Sequence, residues 1–123
     1  MNFLFIDKDK SLAGTLFPLL AKKFNSECRI VETCQDGIKA LKEGYVPDFA
    51  FIEYDASPGN GMDVILYMQT KDYFEKVKVV LTTNLQDYKK IESVADMLKV
   101  HFERKPLQLF TLQRYITEHM PRQ

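Results

Sequence analysis

Short apolar runs alternate with amphipathic stretches along the whole chain, and turn residues separate them. The apolar runs predict five strands at Asn2–Ile6, Cys28–Thr33, Phe49–Glu53, Val77–Thr82 and Val100–Arg104. Strands that are apolar on both faces are typical of a parallel sheet that is covered by helices on both sides. The pattern therefore predicts an α/β fold with three layers.

Apolar residues at helical spacing predict one amphipathic helix after each strand, which makes a (βα)5 chain. The first stripe consists of Leu12, Leu16, Leu20 and Phe24. Pro18 lies within that stripe and should kink or restart the helix, because proline lacks a backbone donor. The second helix is predicted to start at Asp36-Gly37, and the other three to span Met62–Thr70, Gln86–Leu98 and Leu107–Glu118.

The connections between parallel strands are right-handed, which leaves few possible sheet topologies. The common solution for five strands is the flavodoxin-like order 2-1-3-4-5. With 123 residues, the chain is long enough for one domain, which we expect to cover residues 1–123. Ligands of such sheets bind at the carboxyl ends of the strands, so any functional site is expected there.

The charge balance excludes some classes of partner. Seventeen basic residues balance seventeen acidic ones, so no net positive field attracts nucleic acid or an anionic membrane. No apolar run approaches the length of a membrane span or a signal peptide, so we expect a cytoplasmic protein. Cys28, Cys34, His101 and His119 lack the spacing of a metal or redox motif and are interpreted as packing or surface residues.

Charged and hydroxyl side chains follow four of the predicted strands at their carboxyl ends. They are Asp7, Lys8, Asp9, Glu53, Asp55, Thr83 and Lys105. Strand ends converge on one edge of a parallel sheet, so we expect these side chains to form one polar pocket.

These residues and their spacing resemble the receiver domains of two-component response regulators, in particular the single-domain receivers of the chemotaxis type. The resemblance extends over all five predicted strands. It is carried by Phe3–Asp7, Asp36–Leu41, Pro47–Ile52, Gly61 eight residues after Glu53, Thr83, Phe102 and Lys105-Pro106. It implies that Thr83 and Phe102 occupy the switch positions, and that Lys105 occupies the position of the phosphoryl-binding lysine.

In the family that the chain resembles, an aspartate accepts a phosphoryl group from a histidine kinase, and two acids plus the acceptor hold Mg²⁺. The cation offsets the repulsion between the carboxylate and the phosphoryl group. The resemblance implies a signalling protein and not an enzyme. It also implies a protein partner, either a histidine kinase or a downstream target, and a monomer or weak homodimer.

The chain departs from this pattern at the acceptor, at the second acid and in one loop. Glu53 stands in place of the acceptor aspartate, and its extra methylene misplaces the carboxylate for in-line attack. Lys8 stands in place of the second acid and has no lone pair for a metal. Ser57-Pro58 displaces the loop proline by one residue. We therefore predict a degenerate receiver without catalytic residues or a magnesium cofactor, in which Glu53 pairs with Lys8 or Lys105.

Several alternatives remain open on the sequence. The Glu53 carboxylate could stand where a phosphoryl oxygen would and hold an active-like state, or Asp55 or Glu53 could still accept a phosphoryl group. The chain could also be an adaptor that never switches. A flavin-binding flavodoxin-like protein has the same sheet order, but its first loop needs glycines and hydroxyls where this chain has Asp7–Lys10. A colourless purified protein would exclude that alternative.

The resemblance also implies an output face on the fourth predicted helix, the fifth strand and the fifth helix, through which the chain would contact a protein partner. This face carries Lys89, Lys90, Glu92, Asp96, Phe102, Gln113 and Arg114. Its charges are mixed, which is also typical of an ordinary solvated surface.

Overall fold

A computed structural model describes residues 1–121 of the chain. Five parallel strands form one sheet: β1 (Asn2–Ile6), β2 (Glu27–Val31), β3 (Phe49–Glu53), β4 (Lys78–Thr83) and β5 (His101–Arg104). Their order is β2-β1-β3-β4-β5, which confirms the predicted flavodoxin-like topology. Two of the predicted strands have the observed bounds, and the other three differ by one or two residues at one or both ends.

Residues 1–121 form six helices. They are α1 (Lys10–Gly14), α2 (Leu16–Lys23), α3 (Cys34–Lys42), α4 (Gly61–Met68), α5 (Tyr88–Leu98) and α6 (Leu109–His119), with one 3₁₀ turn at Phe74–Lys76. Of these helices, α2 to α6 cover the sheet. Helix α3 begins two residues before the predicted start because the Thr33 side chain accepts a hydrogen bond from Asp36 N at 3.0 Å and caps the helix there.

The first predicted helix is divided into α1 and α2, so the predicted restart is confirmed. Pro18 is the third residue of α2, where its missing N–H would have no partner within the helix. Although the helix is interrupted at Thr15, the predicted stripe still packs on the core. Leu20 is fully buried beside Phe17, and Leu12, Leu16 and Phe24 are partly buried against the same core residues.

The two faces of the sheet bury different kinds of side chain. Helices α3, α4 and α5 cover an aliphatic face that includes Leu4, Ile6, Ile52, Ile65 and Leu81. Helices α2 and α6 cover an aromatic face whose central members are Phe3, Phe5, Phe17, Phe49 and Phe51. The Phe5 ring stacks on Phe17 at 4.3 Å and on Phe51 at 5.1 Å between centroids.

Gly61 fixes the distance between α4 and the end of β3. A Cβ at this position would lie 2.7 Å from Leu81 Cδ1 and 3.0 Å from Tyr54 Cα. The second neighbour is backbone and cannot move aside, so a side chain here would push α4 away from the sheet. This close packing is a physical reason for the glycine that the sequence places eight residues after Glu53.

Candidate functional site

The strand register brings the polar residues of three strands together at the carboxyl edge of the sheet. Ile6 of β1 pairs with Ile52 of β3, so Asp7 lies beside Glu53. Lys105 follows the end of β5, and its long side chain extends across the sheet edge to both acids. Asp7 is 3% exposed and Glu53 is 5% exposed, so both carboxyl groups are buried.

Lys105 binds the two buried acids at once. Its Nζ donates to Asp7 Oδ1 and to Glu53 Oε2, each at 2.8 Å. The second Glu53 oxygen, Oε1, accepts a hydrogen bond from the backbone N–H of Lys8 at 3.1 Å. Both oxygens of Glu53 are therefore engaged, and we call Asp7, Glu53 and Lys105 the lysine–carboxylate cluster.

Charges within the lysine–carboxylate cluster do not cancel, because two acids share one ammonium. Burial raises the pKa of Asp7, and the hydrogen bonds from Lys105 and from Asp9 N offset that effect only in part. Burial alone would lower the pKa of Lys105, but its bonds to Asp7 and Glu53 outweigh burial and raise it. The lysine is thus stabilised as a cation, whereas Asp7 is only partly compensated.

A second polar contact lies on the aliphatic side of the same edge. Thr83 is fully buried, and its hydroxyl donates to Asp55 Oδ1 at 3.2 Å. The same hydroxyl oxygen accepts a hydrogen bond from Leu85 N at 3.1 Å. Asp55 follows β3 and Thr83 ends β4, so this contact joins two neighbouring loops.

No protein-family model matches the sequence, and no curated protein matches it. A CheY-like response regulator receiver domain protein from Methanospirillum hungatei has a TM-score of 0.79 and 14% identity over 95% of this chain and 90% of that one. A response regulator receiver protein from Burkholderia phymatum has a TM-score of 0.76 and 17% identity over 96% of this chain and 93% of that one.

The structural neighbours also include a protein described as an adenylate cyclase, from Rhodopirellula baltica. Its TM-score is 0.78, with 21% identity over 97% of this chain and 86% of that one. Most of the neighbours are receiver domains of the CheY-like type. The chain has the receiver-domain fold. At these identities the likeness establishes the fold and leaves the activity to be argued from the site.

Within the receiver fold, not every residue predicted for the pocket joins it. The side chain of Lys8 is exposed and its Nζ donates to Ser57 Oγ at 3.4 Å, so of the two predicted partners of Glu53 only Lys105 forms an ion pair. Asp9 is also exposed, and its Oδ1 caps α1 by accepting from Ser11 N and Leu12 N. Its carboxylate therefore serves the helix and not the cluster.

Phe102, which the sequence resemblance assigned to a switch position, is half-buried beneath α5. Its ring stacks on Tyr88 with centroids 6.5 Å apart and planes at 17°. Arg104, which is on β5 like Phe102, places its guanidinium 4.1 Å from the centroid of the Tyr88 ring. The role of Tyr88 could not be predicted from the sequence, because a tyrosine in the first turn of a predicted helix gives no signal of the strand residue that it will contact.

The remaining candidates do not form a separate centre. Among residues 1–121, no three His, Cys, Asp or Glu side chains lie close enough to hold a metal ion. Cys28 is exposed and Cys34 is buried, and burial raises the pKa of the Cys34 thiol to about 12. None of the helices described is both long and apolar enough to cross a bilayer.

Proposed function

We propose that this chain is a signalling module of the two-component type that acts by binding another protein and is not switched by phosphoryl transfer. One observation carries the proposal. The residue at the acceptor position, Glu53, has both carboxylate oxygens engaged, one by Lys105 Nζ at 2.8 Å and the other by Lys8 N at 3.1 Å.

A carboxylate that attacks phosphorus needs a free oxygen lone pair in line with the leaving group. The extra methylene of glutamate carries the Glu53 carboxylate into contact with Lys105, where hydrogen bonds stabilise it as a resting anion. Releasing it would leave the buried Glu53 carboxylate without its cation, which is costly in a water-poor site. These bonds therefore oppose phosphoryl transfer to Glu53.

The side chains that could ligate a cation here also do not suit the magnesium ion that the family uses. Mg²⁺ requires oxygen ligands in near-octahedral geometry. Asp7 Oδ1 already accepts from Lys105 Nζ and from Asp9 N, both at 2.8 Å, and Asp9 caps a helix. Lys8 supplies a positive charge where the family supplies an oxygen. We expect Mg²⁺ to bind no more tightly than roughly millimolar.

The hydroxyl of Thr83, at the switch position that the resemblance implies, is also engaged in a hydrogen bond. Thr83 has a single O–H, and it is donated to Asp55 Oδ1. A phosphoryl oxygen at Glu53 would have to displace this bond. The proposal therefore has support from the acceptor, the cation ligands and the hydroxyl, which belong to three different strand ends.

Protein contact would take place on α5, β5 and α6, the face that the resemblance implies. Tyr88 and Arg104 extend the aromatic surface of Phe102 there, and they add a stacked, semi-rigid patch to the mixed charges of the face. Aromatic and arginine side chains contribute more binding energy at interfaces than most other types. We expect the partner to be a protein of a two-component pathway.

The direct test is incubation with acetyl phosphate and Mg²⁺, followed by intact mass spectrometry at neutral pH in the cold. We expect no mass gain, whereas a phosphorylatable receiver treated in the same tube gains one phosphoryl group. A gain on this chain would overturn the proposal. Asp55→Asn and Glu53→Gln would then identify the acceptor, because only loss of the acceptor removes the added mass.

A gain-of-function variant tests the same proposal from the opposite direction. Glu53→Asp withdraws the carboxylate from Lys105 but leaves a lysine at position 8, where the family has its second acid. Lys8→Asp supplies that acid but leaves Glu53 engaged by Lys105. Only the double variant should bind a beryllofluoride mimic of the phosphoryl group in an Mg²⁺-dependent way, with strong non-additivity. If the wild-type chain already binds the mimic as well as the double variant, the pocket is not degenerate.

A further inference from the structure

A groove of about 620 Å³ lies between α3 and α4, on the aliphatic side of the sheet. Its apolar part is formed by Ile38 of α3 and by Pro58 in the loop before α4. Ile38 is half-buried and the other residues that line the groove are exposed, so the groove is shallow and open to solvent. Its charged lining residues are Asp36, Lys39, Lys42 and Asp63.

Two ammonium groups approach one aromatic ring at one end of this groove. Lys42 Nζ lies 5.8 Å, and Lys71 Nζ 5.0 Å, from the centroid of the Tyr67 ring on α4. In the described part of the chain, neither of these lysines nor Lys39 forms an ion pair with a carboxylate. We call Lys42, Tyr67 and Lys71 the basic end of the groove. An anion bound there would offset the repulsion between its two ammonium groups.

A buried donor near the basic end also lacks an acceptor. The hydroxyl of Tyr73 is buried and has no hydrogen-bond partner within residues 1–121. Burial raises the pKa of Tyr73, Tyr67 adds to this effect and Lys71 opposes it, so Tyr73 lies close enough to both residues to be affected by them. Buried donors without a partner are rare in folded proteins. Acceptors are therefore missing at this end for a hydroxyl as well as for two ammonium groups.

The opposite end of the groove is negatively charged. Asp36 and Asp63 are exposed in the first turns of α3 and α4, whereas Lys42 is the last residue of α3. The charge along the groove thus changes from negative to positive over the nine residues of α3, a length of about 13 Å. An extended chain of about four residues spans this distance.

We propose that the groove between α3 and α4 binds a short segment of a partner protein that ends in carboxylates. Apolar side chains of the segment pack on Ile38 and Pro58, its acidic residues bind Lys42 and Lys71, and a cationic group at its other end faces the two aspartates. An anionic membrane fits less well, because it presents one sign of charge and the aspartates would repel it. This groove is separate from the contact face on α5, β5 and α6, and the inference does not depend on that face.

The test is a titration with a synthetic peptide in which one lysine, two leucines and two glutamates follow one another in that order. We expect saturable changes in the amide chemical shifts of α3 and α4. A second peptide, with glutamines in place of the glutamates, should bind at least about threefold more weakly, because it lacks the carboxylates. Both peptides are compared on the wild-type chain, so this result does not depend on the folding of any variant.

A double variant assigns the carboxylates to the basic end. Lys42→Gln/Lys71→Gln removes two exposed charges and should weaken binding of the acidic peptide roughly fivefold. Lys22→Gln/Lys23→Gln is the matched control, because these lysines are exposed in the last turn of α2, as Lys42 is in α3. It should leave the affinity unchanged.

Several results would overturn the inference. They are the absence of saturable shifts in α3 and α4 at millimolar peptide, equal affinity for the two peptides, and equal affinity of the two double variants for the acidic peptide. Cosedimentation with vesicles of phosphatidylcholine and phosphatidylserine tests the alternative of a membrane surface. If the wild-type chain binds these vesicles, Lys42→Gln/Lys71→Gln does not, and the peptide causes no shifts, the basic end binds lipid and the inference is wrong.

Discussion

The buried phenylalanines of the aromatic face, here called the aromatic cluster, lie on the same strands as the lysine–carboxylate cluster. The two clusters are stabilised in different ways. Phe5 is followed two residues later by Asp7, and Phe51 two residues later by Glu53. Alternate residues of a strand share a face, so the acids extend the two aromatic rows. The rings are stabilised by buried area and stacking, whereas the acids depend on one ammonium. Packing is shared among many contacts, but the ionic site has a single common partner.

The largest effect is expected from Lys105→Met, which leaves two buried carboxylates without their cation. We expect it to lower the free energy of unfolding by about 3 to 5 kcal/mol at neutral pH. The loss should diminish as the pH falls, because burial raises the pKa of Asp7, which then binds its proton more readily in the folded than in the unfolded chain. Urea unfolding at several pH values measures both effects.

Lys89→Met is the matched control for this prediction, since Lys89 is exposed on α5. It should change the free energy of unfolding by no more than about 0.5 kcal/mol. If Lys105→Met behaved like Lys89→Met, the acids would be stabilised by something other than the lysine, and the main support for the proposed function would be lost.

A smaller effect is expected in the aromatic cluster from Phe5→Leu. The change removes ring area and the stacks on Phe17 and Phe51, but leucine still fills much of the space. We expect a loss of about 2 kcal/mol. Phe110→Leu is the control, because Phe110 is 83% exposed and its replacement should cost less than about 0.5 kcal/mol. A loss in Phe5→Leu as large as that in Lys105→Met would remove the contrast between the two clusters.

Most of the fold was predictable because its signals are local. Each strand is a short apolar run, and the right-handed connection rule then selects the observed order. The division of the first helix was predictable from Pro18, but the position of the break at Thr15 was not. A helical period cannot show where the chain changes direction between two short helices.

The sequence predicts which residues lie in the pocket but not which of their side chains bond to one another. Residues at strand ends converge whatever their side chains, so Asp7, Glu53 and Lys105 could be assigned to one edge. Which lysine reaches Glu53 depends on side-chain direction: Lys8 extends outward to Ser57, whereas Lys105 crosses the edge. The bond between Asp55 and Thr83 joins residues 28 positions apart and has no signature in either local sequence.

Alkaline pH should weaken the lysine–carboxylate cluster before the aromatic one. The pKa of Lys105 is raised in the folded chain, so its contribution to stability is complete below the ordinary lysine value of about 10.4. It is lost as the pH rises through the higher value of the folded state. We expect the free energy of unfolding of the wild-type chain to fall in this range, and that of Lys105→Met to fall less. Equal slopes would contradict the assignment.

The smallest effect is expected from Asp7→Asn, and it separates the roles of the two acids. Asparagine keeps an oxygen that can accept from Lys105 Nζ and from Asp9 N, and it reduces the cluster from two negative charges to one. Burial raises the pKa of Asp7, which means that the folded chain disfavours its charged form. Neutralising it should therefore change the free energy of unfolding at pH 7 by no more than about 1 kcal/mol. In the wild-type chain, protonation of Asp7 adds stability as the pH falls through its raised pKa, and Asp7→Asn should lack that gain. Urea unfolding of both proteins between neutral and acidic pH measures the difference. A loss at pH 7 as large as that of Lys105→Met would show that Asp7, and not Glu53, is the main partner of the lysine, and the Glu53 carboxylate would then be free enough to react.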